Sequence, residues 1–314
     1  MQYGNKFRYS IDNKRYHTLN YYNKTKFGCR IYKAVIDAGF SCPNKDGTKG
    51  YGGCIFCYGG SGYFTSEGSV PVEVQLKREI KRIRSKTPDA KIIAYFQANT
   101  NTYGSLERLR EVYEPIVDRD DIFGISIGTR ADCLDGDICR YLEDISKRTH
   151  LTVELGLQSS NDRTAELINR GYSYSEFLKG FDALSSRNIR TCIHIINGLP
   201  GENEENMLKT AEDVGRLKPE ALKIQLLHVI KGTRLEEMYN NHEFDVMTME
   251  DYINITVKQL EYIPTETVIE RITGDGDRKN LIAPLWSTNK IAVLGGIDKR
   301  QAETGSMQGI KVFY

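Results

Sequence analysis

Short apolar segments rich in β-branched and aromatic residues recur along most of the chain. Few polar residues interrupt them, which is typical of strands buried on both faces of a parallel sheet. The pattern predicts six strands, at residues 31–38, 91–98, 121–129, 151–159, 189–197 and 221–229.

Amphipathic segments with helical spacing lie between these strands, at residues 72–86, 105–118, 137–148, 174–187 and 204–218. Ser105 and Asn203 stand where helix N-caps are expected. Regular alternation of strand and helix predicts an α/β fold with a parallel sheet. Six such units fit a partial, six-stranded TIM-like barrel, and periodicity alone leaves a doubly wound open sheet as the alternative. No low-complexity linker breaks the series, so we expect one main domain over residues 31–263, flanked by extensions at 1–30 and 264–314.

The first forty residues differ from the rest because eight basic residues face two acidic ones, a local net charge of +6. Aromatic residues are interleaved with these charges, from Tyr3 to Tyr32. Basic and aromatic side chains together are typical of surfaces that follow phosphates and stack on unpaired bases. The same segment could instead pack across the barrel with its charges solvated.

Composition narrows the class of protein. The 314 residues carry 43 Lys and Arg against 42 Asp and Glu, so global charge indicates no particular partner. No apolar run approaches the roughly 20 residues that span a bilayer, and the polar start lacks the apolar part of a signal peptide. We therefore expect a cytoplasmic protein with no membrane association. Its seven cysteines are an odd number in a long chain, which favours core residues or metal ligands over disulfides.

Cys42, Cys54 and Cys57 form the spacing C-x11-C-x2-C directly after the first predicted strand. Thiolates are soft ligands that suit iron–sulfur clusters and zinc. Three cysteines on a 4Fe–4S cluster leave one iron open, and S-adenosylmethionine (SAM) can chelate that iron through its amino and carboxylate groups. Structural zinc wants four ligands, and no Cys or His follows Cys57 until Cys133. The motif therefore predicts a cluster. Phe56, between the paired cysteines, could pack against the adenine of SAM or simply pack within the loop.

Several motifs in the same order resemble a known family. The cysteine loop at 37–57, GTRADCL at 128–134, VELGLQS at 153–159, NRGYS at 169–173, HIINGLPGE at 194–202 and HVIKGTRL at 228–235 are similar to those of Elongator-catalytic-subunit-like radical SAM proteins. The resemblance is to a small bacterial branch without the acetyltransferase domain. It implies the partial six-stranded barrel, a 4Fe–4S cluster, SAM as second cofactor, and a reductant such as flavodoxin or ferredoxin.

The resemblance also implies which residues line the SAM pocket: Tyr95, Phe96, Gln97, Glu154, Gln158, Arg170 and His194. Arg170 is expected to meet the carboxylate or ribose of SAM. A glutamate buried in a strand also needs a partner on physical grounds, because an isolated buried carboxylate is costly. Gly128 departs from the related oxygen-independent coproporphyrinogen oxidases, which place a glutamate there. No catalytic residue beyond the cluster ligands is assigned.

Because the Elongator subunit modifies wobble uridine at C5, the resemblance implies reductive cleavage of SAM and hydrogen abstraction from a transfer RNA. Two alternatives stay open at this point. One is a radical SAM enzyme acting on a small molecule or peptide, and the other is a non-catalytic, zinc-stabilised RNA-binding module.

Overall fold

Seven strands form the main sheet of the computed structural model, which describes residues 7–58, 68–274, 276 and 278–312. They are β1 (Ile31–Ile36), β2 (Lys91–Phe96), β3 (Gly124–Thr129), β4 (His150–Gln158), β5 (Thr191–Asn197), β6 (Ala221–Leu226) and β8 (Val268–Arg271). Their spatial order is β1-β2-β3-β4-β5-β6-β8. In a doubly wound sheet the order of the strands reverses at the switch point, whereas here strands that follow one another in the chain are neighbours in the main sheet. The predicted α/β fold of the partial TIM-barrel type is therefore confirmed, with seven strands rather than six.

The described helices are α1 (Leu19–Phe27), α2 (Val72–Arg84), α3 (Leu106–Val117), α4 (Gly136–Arg148), α5 (Asp162–Leu167), α6 (Tyr174–Ser185), α7 (Glu204–Leu217), α8 (Arg234–Asn240), α9 (Met249–Leu260) and α10 (Lys290–Thr304). A separate two-stranded sheet pairs β7 (Val229–Ile230) antiparallel with β9 (Leu281–Ala283). Ser105 and Asn203 cap α3 and α7 as predicted, each accepting a hydrogen bond from a backbone N–H of the first turn. None of the described helices is both long and apolar enough to cross a membrane.

Contacts between residues divide the chain into two compact units. The second unit comprises Gly28–Gly156 and Gly171–Cys192, and it contains β1 to β3, most of β4, and the helices α2, α3, α4 and α6. Parallel pairing aligns Ser126 with Tyr95 and Gly128 with Glu154. Because side chains alternate along a strand, Tyr95 and Phe96 point to opposite faces of this sheet.

The first unit comprises the residues up to Phe27, Leu157–Arg170 and the chain from Ile193 onward. Within it the N-terminal segment joins the edge of the sheet, because the Ile269 amide donates to the His17 carbonyl oxygen at 2.7 Å and Thr18 forms a parallel bridge with Ile269. Gln308 locks this arrangement by accepting from the His17 amide at 2.7 Å. β8 lies in the range predicted as a C-terminal extension. The domain boundaries at 30 and 263 stay predictions.

Candidate functional site

The cysteine loop follows β1 in the second unit, at the carboxyl end of a parallel strand where active sites of such folds lie. Gly47, Gly52 and Gly53 all have positive φ, between 73° and 92°, so the chain turns sharply between Cys42 and Cys54. A Cβ on the nearby Gly50 would clash with Asn44 Oδ1. The loop therefore depends on glycine for its tight course.

Two lysine side chains and one threonine side chain attach this loop to the rest of the second unit. Lys45 Nζ donates to Asn99 Oδ1 at 2.9 Å, and the hydroxyl groups of Thr48 and Tyr103 are 2.7 Å apart. Lys49 Nζ donates to the Asp132 carboxylate at 2.8 Å. The loop is thus fixed at several points to residues that follow β2 and β3.

Cys42, Cys54 and Cys57 are half-buried cysteines, and the Asn44 amide nitrogen lies 3.9 Å from Cys54 Sγ. Among the residues that the structure describes, no three Cys, His, Asp or Glu side chains are arranged to hold a metal ion. The residues nonetheless fit a 4Fe–4S cluster by donor chemistry, because three accessible thiols on one glycine-rich loop match three of its irons. Phe56 lies between the paired cysteines and is half-buried.

Arg130 and Asp132, which follow β3, form a buried ion pair beside this loop. Arg130 donates to the Asp132 carboxylate through Nε at 2.9 Å and Nη2 at 3.0 Å, and its guanidinium lies 4.7 Å from the Tyr172 ring centroid. Burial raises the pKa of the adjacent Cys133 thiol to about 12, and the Asp132 charge adds to the shift. Cys133 is therefore a neutral thiol at physiological pH.

Glu154 is 1% exposed in the middle of β4 and accepts three hydrogen bonds within the second unit. Lys33 Nζ donates at 2.6 Å, Ser126 Oγ at 2.7 Å and Tyr95 Oη at 2.8 Å. Lys33 also lies 4.8 Å from the Tyr95 ring centroid. Lys33 on β1 is therefore the partner that a buried carboxylate is expected to need. The sequence indicated this lysine only as one of the basic residues near the N-terminus.

Two more of the predicted pocket residues, Phe96 and Gln97, lie at the end of β2 and directly after it. The Phe96 ring is fully buried and packs edge-on against Tyr113 of α3, so Phe96 offers a ligand its backbone only. Gln97 Nε2 and the nearby Asn101 Oδ1 are buried and have no hydrogen-bond partner in the described part of the chain. Unsatisfied buried polar atoms are rare in proteins and mark places where a ligand can bind. Asn101 was missed because an Asn after a strand is usually part of a turn.

Gln158, Arg170 and His194 belong to the first unit. Gln158 ends β4 with a positive φ of 62°, and His194 is half-buried in β5. Arg170 is 1% exposed, and its Nη1 donates to the carbonyl oxygens of Leu157 and Ser159. The guanidinium therefore holds the turn after β4. Its role toward SAM stays a prediction, as do those of the other pocket residues.

The basic N-terminal segment is partly used for packing inside the first unit. Phe7 and Tyr16 are each 4% exposed, and the Tyr9 ring stacks on His17 at 4.5 Å. Lys14 is paired with Asp298, whereas Lys24 on α1 is exposed to solvent. Lys6 and Tyr3 lie outside the described residues. Part of the predicted interface therefore serves the fold, and two of its exposed cations, Lys24 and Lys26, lie on α1.

Comparison with known proteins identifies the family. The model of the radical SAM superfamily matches residues 47–214, and that of the radical SAM C-terminal domain matches residues 219–303. The chain is 45% identical to the uncharacterized protein YtqA of Bacillus subtilis, over 98% of this chain and 96% of that protein. It is 29% identical to a tRNA uridine(34) acetyltransferase of Methanocaldococcus infernus, over 54% of this chain and 32% of that protein.

Solved structures agree on the fold. The archaeal Elp3 of Methanocaldococcus infernus superposes with a TM-score of 0.65 at 17% identity, covering 89% of this chain and 64% of that one. The methylornithine synthase PylB superposes with a TM-score of 0.50 at 12% identity, covering 92% and 86%. At these identities the likeness concerns the fold alone. The superfamily model matches more than half of the chain, and this match shows that the chain belongs to the radical SAM superfamily.

Proposed function

We propose that this protein is an enzyme that cleaves SAM reductively at a 4Fe–4S cluster on Cys42, Cys54 and Cys57, and abstracts a hydrogen atom from a transfer RNA. The observation that carries the proposal is the cysteine loop, which is anchored through Lys49 and Asp132 at the carboxyl end of a parallel sheet. When bound, the cluster would supply the electron for cleavage, and SAM would chelate its open iron. A reducing cytoplasm, with flavodoxin or ferredoxin as donor, suits this chemistry.

The second unit offers SAM polar atoms at the end of β2. Gln97 Nε2 and Asn101 Oδ1 are buried with free hydrogen-bonding capacity among the described residues, one a donor and one an acceptor. Phe56 would cover the adenine from the cysteine loop. For Gln158, Arg170 and His194, which belong to the first unit, the proposed role toward SAM rests on the sequence resemblance alone.

Transfer RNA as substrate is supported by two independent observations. A relative that matches 54% of this chain is a tRNA uridine(34) acetyltransferase. In addition, Arg8, Lys24 and Lys26 expose their charges on the N-terminal segment, where they can contact phosphates. A base would have to leave its stack to reach the reacting atoms, as in other enzymes that modify bases.

The cluster is tested by anaerobic purification and measurement of iron, sulfide and absorbance near about 400 nm. Cys54→Ala should lose iron and the production of 5′-deoxyadenosine. Cys192→Ala, which removes a thiol buried in β5, should keep both. A colourless wild-type protein that holds zinc would contradict the proposal and favour the zinc-stabilised RNA-binding module.

The substrate is tested by comparing the modified nucleosides of transfer RNA from cells with and without the gene. One uridine derivative should disappear, and added transfer RNA should stimulate SAM cleavage by the purified enzyme. Unchanged nucleosides, together with SAM cleavage that does not respond to transfer RNA, would shift the assignment to a small molecule or peptide substrate.

A further inference from the structure

Asp132 links the cysteine loop to the end of β3 through two cations. Its side chain is 3% exposed and accepts from Arg130 Nε, Arg130 Nη2 and Lys49 Nζ, all within 2.8–3.0 Å. Lys49 also donates to the Asp132 backbone carbonyl oxygen at 2.7 Å. Two positive groups and one negative group leave this cluster with a formal charge of +1.

The guanidinium of Arg130 places positive charge near the cysteine loop. A Cβ on Gly171 would lie 3.6 Å from Arg130 Nη2 and 2.7 Å from Asn44 Oδ1, so these two polar groups flank the same glycine. Asn44 follows Cys42 by two residues, and its amide nitrogen lies 3.9 Å from Cys54 Sγ.

The guanidinium is held in one place by its surroundings. Arg130 is only 8% exposed, Asp132 binds one edge of it, and the Tyr172 ring lies under its face. Arginine has a planar, permanently charged head that suits such a fixed site better than lysine. A fixed charge in a poorly hydrated place acts strongly on neighbouring charges.

We propose that Arg130, oriented by Asp132, is a positioning residue that raises the reduction potential of the cluster. The inference rests on the proposed function. Reduction adds one electron and therefore one negative charge to the cluster, and a fixed cation beside the cysteine loop stabilises that reduced state. The potentials of iron–sulfur clusters respond to net charge and to hydrogen bonds around the thiolates in this way. Lys49 adds a weaker contribution, because its side chain is 37% exposed and hydrated.

The test is an anaerobic redox titration followed by electron paramagnetic resonance, with iron content measured on the same samples. Arg130→Gln should lower the midpoint potential, so that at a fixed potential the ratio of reduced to oxidised cluster falls by about tenfold. Asp132→Asn should raise the potential, because it removes the negative charge and leaves both cations. The double variant restores the wild-type net charge and should titrate between the two.

Arg140→Gln is the matched control, since it makes the same chemical change on the exposed side of α4 and should leave the potential unchanged. A purely structural role would shift both single variants in the same direction, or lower their iron content, and either result overturns the inference. A wild-type potential in Arg130→Gln with full iron also overturns it. If Asp132→Asn does not fold, Lys49→Gln replaces it and should lower the potential less than Arg130→Gln does. A wild-type protein that takes up no cluster overturns the proposed function and this inference with it.

Discussion

Replacing Glu154 by alanine should destabilise the protein even in the absence of any cofactor. Its carboxylate accepts from Lys33, Tyr95 and Ser126 at 2.6–2.8 Å, and it is 1% exposed. Alanine would leave the lysine ammonium without its carboxylate partner and two hydroxyl groups without their acceptor. The pocket role predicted from the sequence would instead lower SAM affinity and leave the stability of the apoprotein unchanged.

The size of the effect follows from burial. Removing one partner of a buried ion pair costs about 3–5 kcal/mol, because the remaining charge stays in a poorly hydrated place. The Lys33 side chain is 25% exposed and can regain some water, so we expect about 3 kcal/mol for Glu154→Ala. Glu154→Gln loses the charge and turns one acceptor oxygen into an NH2 donor, but it keeps the other oxygen, and a hydroxyl group can accept from the new amide, so it should cost less, about 1–2 kcal/mol.

Urea unfolding of the apoprotein measures the free energy of unfolding of both variants. In thermal unfolding, a loss of about 3 kcal/mol should lower the midpoint temperature by roughly 6–12 °C. Glu143→Gln, on the outer face of α4 beside Lys147, is the control and should change the midpoint little. Wild-type stability in Glu154→Ala, with reduced SAM binding, would refute the reasoning and assign the carboxylate to the cofactor alone.

Three further outcomes follow from single contacts. Arg170→Ala should cost the apoprotein about 2–4 kcal/mol in urea unfolding, because two buried carbonyl oxygens lose their donor; unchanged stability would contradict this. Burial, together with the charge of Lys290, lowers the pKa of His228 to about 4. The unfolded chain therefore takes up a proton at higher pH than the fold does, so stability should be complete above pH 6.5 and fall as pH drops toward 4, by about 2 kcal/mol at pH 5. His228→Gln should flatten that profile, and an equally steep profile would exclude His228 as its source. Changing Lys24 and Lys26 to Gln should weaken binding of transfer RNA and flatten its salt dependence in filter binding, whereas equal slopes would remove α1 from the interface.

The strands were predictable because their chemistry is local. Six runs of apolar, β-branched residues mark strands buried on both faces, and all six form strands. β8 was missed as a strand because Val268–Arg271 is only four residues long and ends in two charged residues. Its place in the sheet depends on pairing with β6 and on the bridge between Thr18 and Ile269, which join residues far apart in the chain. The last predicted strand was also too long, because the chain leaves the main sheet after Leu226 and enters β7.

The candidate site shows the same difference between local signals and contacts that join distant residues. Cysteine spacing is a local signal, so the proposed cluster ligands could be named from the sequence. The lysines that pair with buried carboxylates could not be named in this way, because Lys33 lies 121 residues before Glu154 and Lys49 lies 83 residues before Asp132. A lysine in a basic segment looks like a surface residue, and only the fold shows that Lys33 points toward a buried carboxylate.

Gly128 and Glu154 are best understood together, because they are direct partners across β3 and β4. A Cβ on Gly128 would lie 3.3 Å from the Phe96 carbonyl oxygen and 3.9 Å from Tyr95 Oη, the hydroxyl that donates to Glu154. A glutamate at position 128, as in the related oxidases, would therefore bring a second carboxylate toward the first, and two such charges repel strongly when poorly hydrated. Lys33 compensates for one carboxylate. The absence of a side chain at Gly128 thus accompanies the internal use of Glu154 by Lys33, Ser126 and Tyr95.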